Sequence, residues 1–348
     1  MIMNNYAVLF SKLNQLQKKQ SNHFQTTSFW EKATHELVSC IEDQRLKDFR
    51  RDKACLSYFV PTYGPPGLGL SDHIFEQICQ TKKDLTEKQI TTLKNFFNGT
   101  TQAISDRRAI NACIEVLGFN PFKGLIESSV GNPIEHHNIE GTKISRPMAN
   151  YMLGLLFVLS HLKSIRVETV VEIGGGYGAL GELLFGSNLE TNLYINFDIP
   201  PTCIFAEFYL KQVLKNNFKS DLSLPWPSQT KIEQLSGAHV RPNWDIQFLE
   251  GSPDLFVNFH SFQEMEPDVV RAYLNEINRL KPSYLLLRNI KEGKQKRRRN
   301  TAGVISPVKA QDYTDWLDQY ELIAADSFTF GNVTADNFHS ELTLWGHK

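Results

Sequence analysis

The chain has 348 residues, 41% of them hydrophobic, with 37 Lys and Arg against 38 Asp and Glu and a formal net charge of −1. That length suits one large or two medium domains, and the charge balance gives no general attraction to nucleic acid or to an anionic membrane surface. The cysteines Cys40, Cys55, Cys79, Cys113 and Cys203 are odd in number and form no C-x-x-C pair. They read as reduced thiols of a cytoplasmic protein, not as a disulfide framework or a zinc site.

No basic stretch followed by an apolar run opens the chain, so no signal peptide is expected. The most apolar run, Tyr151–Leu159, is too short to span a bilayer. Ile2, Tyr6, Leu9, Leu13 and Leu16 follow a helical period. They predict an amphipathic helix packed on its own domain, with a homodimer seam as the alternative. Ser28 and Glu31 have capping-box spacing and open a second helical run reaching about Arg50. Prolines and glycines make Tyr58–Ser71 a loop, and Leu85–Phe97 and Asp106–Leu117 read helical again. Residues 1–146 are therefore expected to form a helical cap ending in a substrate loop, with a second domain over residues 147–348.

Gly131–Asn138 is polar and turn-rich, and His136 and His137 within it are either solvated linker residues or rival catalytic bases. Pro147 suits the first turn of a helix whose core face is Met152, Leu155, Leu156, Leu159 and Leu162.

Val170–Ile173 then reads as a short buried parallel strand, Gly174–Gly178 as a tight turn, and Ala179–Phe185 as a helix start. Such a unit brings bare backbone up to one ligand. Gly176-x-Gly178-x-x-Gly181 matches the dinucleotide fingerprint, which admits an NAD(P)-dependent oxidoreductase or epimerase. Glu172 with Gly174, Gly176 and Gly178 gives E-x-G-x-G-x-G instead. A carboxylate there suits a ligand carrying an ammonium group and repels a pyrophosphate. Leu193–Asp198 reads as the second strand, with Asp198 placed to accept ribose hydroxyls or to cap the helix after Pro200 and Pro201.

Asp245–Leu249 is a candidate third strand and Asp254–Phe259 the fourth. His260 stands at its end, where catalytic groups gather in open α/β sheets, with an ordinary pKa suited to taking a proton near neutrality. Ser261 and Glu264 read as a capping box for the helix Asp268–Leu280 or for a short turn before it, or as cofactor and substrate contacts. Tyr284–Ile290 is the fifth strand, with Arg288 near its end. The basic run Lys291–Arg299 reads as a solvated loop or a lid for an anionic substrate. Asp312–Tyr320 reads as helix, and Leu322–Ala325 and Leu342–Trp345 as a terminal antiparallel pair.

Glu172–Gly178, Asn196–Pro200 and Asn258–Met265 together resemble the sugar O-methyltransferase family of class I S-adenosylmethionine-dependent enzymes. Ser28-Phe29-Trp30 and Gly131-Asn132-Pro133 extend the likeness over most of the chain. The resemblance implies a Rossmann-like α/β fold, a seven-stranded sheet behind an N-terminal helical domain. It implies S-adenosylmethionine held by Glu172, Gly174, Gly175, Gly176, Tyr177, Gly178, Asp198 and Ile199. It also implies a glycan or small-molecule acceptor, for which Asn258, Ser261, Glu264 and Arg288 are the candidate contacts. His260 is the base expected from its position, with His136 or His137 as rivals, although Ser261 follows it where the plant-type pattern has histidine–aspartate. No compact carboxylate cluster suggests a metal. A non-enzymatic binding module on the same fold is the remaining alternative.

Overall fold

The computed structural model describes residues 4–60, 70–162, 165–297, 303–333 and 337–348. Most of the expected Tyr58–Ser71 loop and the end of the basic run lie outside them.

The first third is helical. Helix α1 (Asn4–Gln17) is followed by α2 (Trp30–Glu42) and α3 (Lys53–Phe59). Next come α4 (Leu70–Thr81), α5 (Glu87–Phe97) and α6 (Thr100–Leu117). The cap expected at Ser28 is absent: Phe29 takes the N-cap position of α2, with no side-chain bond. In α3, Asp52 is the cap, and its carboxylate accepts the N–H groups of Ala54 and Cys55. Helix α7 (Arg146–His161) starts where Ser145 accepts the Met148 N–H and Pro147 fills the first turn. Pro147 through Val158 are all buried, as a helix apolar all round requires.

The sheet comprises β1 (Thr169–Ile173), β2 (Leu193–Asp198), β3 (Gly237–Pro242), β4 (Leu255–Phe259), β5 (Tyr284–Ile290), β6 (Tyr320–Asp326) and β7 (His339–His347). They hydrogen-bond in the order β6–β7–β5–β4–β1–β2–β3, and Asn332–Val333 adds a short pairing to β7. Strands β3, β2, β1, β4 and β5 run parallel, whereas β7 is antiparallel to both β5 and β6. This is the Rossmann-like mixed sheet expected. Every residue of β2 and β4 is buried, which explains their mostly apolar character, broken at Asn196, Asp198 and Asn258 near their carboxyl ends. Between strands lie α8 (Ala179–Gly186), α9 (Pro200–Leu214), α10 (Pro267–Leu280) and α11 (Ala310–Trp316).

The expected third strand is displaced. Asn243–Phe248 forms a 3₁₀ segment, and the strand is the preceding Gly237–Pro242. That strand carries His239 and Arg241, whose polarity is mostly satisfied locally, the buried Arg241 Nε having no partner among the described residues. His239 bonds the Ser236 carbonyl, and Arg241 pairs with Asp245 at 2.8 Å. Ser261 and Glu264 do not cap α10, whose N-cap residue is Glu266; Ser261 is the N-cap residue of the short 3₁₀ turn Phe262–Glu264 before it, without a side-chain capping bond.

Strand order reverses at β1, with β2 on one side and β4 on the other. The crevice beyond the carboxyl ends of these strands is where such sheets take ligands. The buried side chains of the N-terminal helices, including Leu37, Phe49, Cys55 and Phe59, belong to the same core cluster as the sheet. Among the described residues no helix is long and apolar enough to cross a membrane.

Candidate active site

A cavity of about 490 Å³ opens at the carboxyl ends of β1, β2 and β4. Its base is the turn Gly174–Tyr177, its sides are Asp198, Ile199, His260, Ser261 and Glu264, and Asn150 and Tyr151 reach it from α7. Phe29 and Trp30 at the start of α2 and Tyr58 and Phe59 at the end of α3 line it as an aromatic roof. Its size is that of a small-molecule site.

The glycines do different work. Gly174 has φ +73° and Gly176 φ +59°, a region that side chains resist. A Cβ on Gly174 would overlap the Ser261 side chain, whereas one on Gly176 would find only Phe59, at 3.6 Å, and otherwise open cavity. Gly178 was expected to touch cofactor. It lies outside the cavity lining, at the N-cap of α8, where a Cβ would press on Leu210 at 2.8 Å. Its role there is packing.

Four N–H groups of the turn, those of the glycines, are occupied. Gly174 donates to the Phe197 carbonyl at 2.8 Å and Gly178 to the Gly175 carbonyl at 3.1 Å. Gly175 donates to Asn196 Oδ1 at 3.1 Å and Gly176 to Asp198 Oδ2 at 3.0 Å. Asp198 Oδ1 accepts the Ile199 N–H at 2.8 Å. A diphosphate needs free donors at such a turn. Here a carboxylate has taken one of them and presents acceptor lone pairs instead. Burial pushes the Asp198 carboxyl up to about 8, against the two backbone donors that favour its ionised form.

Glu172 is not at the cavity surface, which corrects the expectation of a cofactor contact. It is fully buried, accepting the hydroxyls of Tyr151 at 2.7 Å and Tyr194 at 2.5 Å. A Cβ on Gly175 would strike its carboxylate, so Glu172 lies beneath the turn. Burial raises its pKa to about 7, although both phenols act to lower it.

His260 does face the cavity, with φ +68°, a strained backbone of the kind found at functional positions. Its N–H donates to the Arg288 carbonyl at 2.7 Å, and its Nε2 lies 3.2 Å from Asn150 Nδ2. With the amide donating, Nε2 is an acceptor and the ring is neutral. Burial, with Arg288 and Lys294 adding, holds its pKa well below the usual imidazole value. The expectation of an ordinary histidine pKa is thereby corrected.

The rival bases lie elsewhere. His136 Nε2 is 3.2 Å from Glu127 and 3.1 Å from the Arg50 guanidinium, inside a buried cluster in which Arg50 also pairs with Glu135 at 2.5 Å. His137 sits 3.5 Å from the Thr100 hydroxyl on α6. Neither lines the cavity, because Arg50 draws the Gly131–Asn138 loop down against the domain. Two expected substrate contacts are also interior. Asn258 donates to the Ile173 carbonyl at 2.9 Å and accepts the Phe262 N–H, tying β1 to the turn after β4. Arg288 is buried over the Phe259 ring and bonds the Phe330 carbonyl. Ser261 lines the cavity, but its hydroxyl donates to the Ile173 carbonyl at 3.2 Å. Glu264 lines it too, paired at 3.0 Å with Lys294, which stands 5.0 Å from the centre of the Phe29 ring.

The sequence reading missed the aromatic roof, Asn150, Tyr151, Gln25 and Gln263 as cavity residues. Only the Ser28-Phe29-Trp30 likeness pointed toward the roof. It also missed Thr202, which lines the cavity from the first turn of α9 and whose buried hydroxyl has no hydrogen-bond partner among the described residues. Such an orphan calls for a ligand or water.

No protein family and no curated protein matches the chain. Several solved structures superpose on it. Magnesium protoporphyrin IX methyltransferase from Synechocystis PCC 6803, with bound SAH, is 12% identical over 58% of this chain and 83% of its own, with a TM-score of 0.40. The O-methyltransferase NcsB1 of neocarzinostatin biosynthesis is 11% identical over 58% of this chain and 59% of its own, with a TM-score of 0.37. Mitomycin 7-O-methyltransferase MmcR is 12% identical over 93% of this chain and 70% of its own, with a TM-score of 0.36. No residue of the site is assigned from them.

Proposed function

We propose that the chain is an S-adenosylmethionine-dependent O-methyltransferase whose acceptor is a sugar hydroxyl of a bacterial surface glycan or its precursor. One observation carries the cofactor class. Asp198 and Asn196 take the Gly176 and Gly175 N–H groups, which leaves a diphosphate fewer donors there and presents acceptor oxygens that suit ribose hydroxyls. Asp198 would accept ribose hydroxyls, the open face of Gly176 would give the cofactor close backbone contact, and the orphan Thr202 hydroxyl is a further partner. The bound donor supplies an already activated sulfonium methyl.

The chain then has two tasks, to align a hydroxyl and to take its proton. His260 is the cavity residue suited to the second. A neutral imidazole with a lowered pKa stays unprotonated at neutrality; its acceptor nitrogen, Nε2, takes the Asn150 amide N–H in this structure and would exchange that bond for the acceptor hydroxyl. The roof suits a sugar: Trp30 and Tyr58, with ring centres 5.8 Å apart, offer faces for the C–H side of a pyranose. Gln25, Gln263, Glu264 and Lys294 match its hydroxyls. The free thiols fit a cytoplasmic setting.

Methyl transfer from isotopically labelled donor to a panel of nucleotide sugars and glycan fragments tests the reading. Label in a sugar ether, with S-adenosylhomocysteine released in equal amount, is the expected result. Transfer only to flat aromatic phenols would remove the sugar assignment, and no transfer with any acceptor class would remove the activity.

A further inference from the structure

The helices that roof the cavity also carry a pair of thiols. Cys40 on α2 and Cys55 on α3 are both fully buried, and their sulfurs and an Asp52 carboxylate oxygen lie within 4.8 Å of one another. The same interface leads to the cavity. The Tyr58 hydroxyl donates to Glu36 of α2 at 2.7 Å, and the Tyr58 ring packs on Trp30. Asp52 is already engaged, capping α3 and pairing with Arg45, so a metal would find two sulfurs and no free third ligand. The separation of the sulfurs is short enough for a modest side-chain movement to reach the about 2 Å of a disulfide bond.

We propose that Cys40 and Cys55 form a hydroperoxide-responsive dithiol whose disulfide staples α2 to α3 and so rigidifies the roof of the cavity. Cys40 is the attacking sulfur. The Cys55 S–H bonded to it lowers the Cys40 pKa, with Arg45 assisting, and the same bond raises that of Cys55. Both sulfurs are buried when α2 and α3 are closed, so a local opening of that interface admits the peroxide. The Cys40 thiolate then attacks a peroxide oxygen; the O–O bond breaks, an S–O bond forms, and the leaving oxygen departs as water or alcohol after taking a proton. The Cys55 sulfur then attacks the Cys40 sulfur; the S–O bond breaks, the S–S bond forms, and a water leaves. Two thiols thus lose two electrons and two protons, and the peroxide is reduced by two electrons. The other cysteines are placed differently. Cys203 donates to the Asp198 carbonyl at 3.0 Å, and Cys79 and Cys113 are half-buried on α4 and α6.

The test treats the reduced full-length chain with hydrogen peroxide, blocks remaining thiols with a maleimide and maps the peptides by mass spectrometry. A Cys40–Cys55 cross-link is expected, with the other three of the five cysteines alkylated. Cys55→Ser should accumulate a dimedone-reactive sulfenate on Cys40, and Cys40→Ser should give neither product. Amide hydrogen exchange in α2 and α3 should slow about tenfold on oxidation, recover with dithiothreitol, and not respond to peroxide in Cys40→Ser. Oxidation confined to Cys79 or Cys113 would overturn the proposal. So would a cross-link that leaves exchange in α2 and α3 unchanged, or zinc retained by the purified chain and lost in Cys40→Ser.

Discussion

Asp198 Oδ2 accepts the Gly176 N–H at 3.0 Å, so the acid at the end of β2 and the turn after β1 form one unit. The turn is held in its left-handed conformation before any ligand arrives, and the remaining lone pairs of the carboxylate face the cavity. Around this turn, a Cβ on Gly174 or Gly175 would strike neighbouring side chains, whereas one on Gly176 would meet only Phe59 and open cavity.

Two glycine substitutions should therefore behave differently. Gly174→Ala collides with Ser261 and takes a strained φ, so it should lower the melting temperature by several degrees. Gly176→Ala carries only the backbone strain, roughly 1 kcal/mol, and should stay folded while losing cofactor affinity at least tenfold. Thermal unfolding and calorimetry on both variants check the contrast; equal loss of affinity with equal stability would contradict it.

The buried Glu172 links stability to pH. Its folded pKa, about 7, lies above its unfolded value, so the folded state binds more protons between the two. Its contribution is full below pH ~4.5, is lost as pH rises through about 7, and amounts to at most on the order of 3 kcal/mol. Glu172→Gln, which cannot titrate, should flatten the fall in stability across that window in urea-unfolding curves. A slope identical to that of the wild type would place the titration elsewhere.

His260→Ala should lower turnover by about 10²–10⁴-fold with donor affinity nearly unchanged. The acid limb of the wild-type pH–rate profile should lie below the ordinary imidazole value, because burial depresses this group, and it should vanish in the variant. Full turnover in the variant would make His260 structural. His136→Ala should leave the limb in place, since that ring pairs with Glu127 outside the cavity.

The roof should discriminate acceptor from donor. Trp30→Ala and Tyr58→Ala each remove a stacking face worth ~1–2 kcal/mol, so acceptor KM should rise about tenfold while donor affinity changes little. Steady-state kinetics against each substrate separately decides this; a larger effect on the donor would put the roof over the cofactor.

The parts of this architecture legible in the sequence are those coded locally. β1, β2, β4 and β5 are short runs, apolar except near their carboxyl ends, because both faces of the sheet are covered, and Pro147, Pro200 and Pro201 mark helix starts by the φ they fix. β3 escaped because His239 and Arg241 read as loop residues; their burial depends on Ser236 and Asp245, which pattern alone cannot pair with them. The site shows the same divide. Asp198 and the glycines are close in sequence and were placed together. The sealing of Glu172 needs Tyr151 and Tyr194 from two other elements, and the roof needs α2 and α3 to fold across the sheet ends. His136 misled for a like reason: its partner Arg50 lies far upstream.

The turn and Asp198 are proposed to hold a nucleoside through its free ribose hydroxyls, not a diphosphate. Isothermal titration of the wild type and of Asp198→Ala with S-adenosylmethionine, S-adenosylhomocysteine and NAD addresses it directly. The wild type should bind both sulfur nucleosides and show no heat with NAD. Asp198→Ala should weaken them by roughly 1.5–3 kcal/mol, on the order of ten- to a hundredfold. NAD binding to the wild type without binding of either sulfur nucleoside would contradict the account.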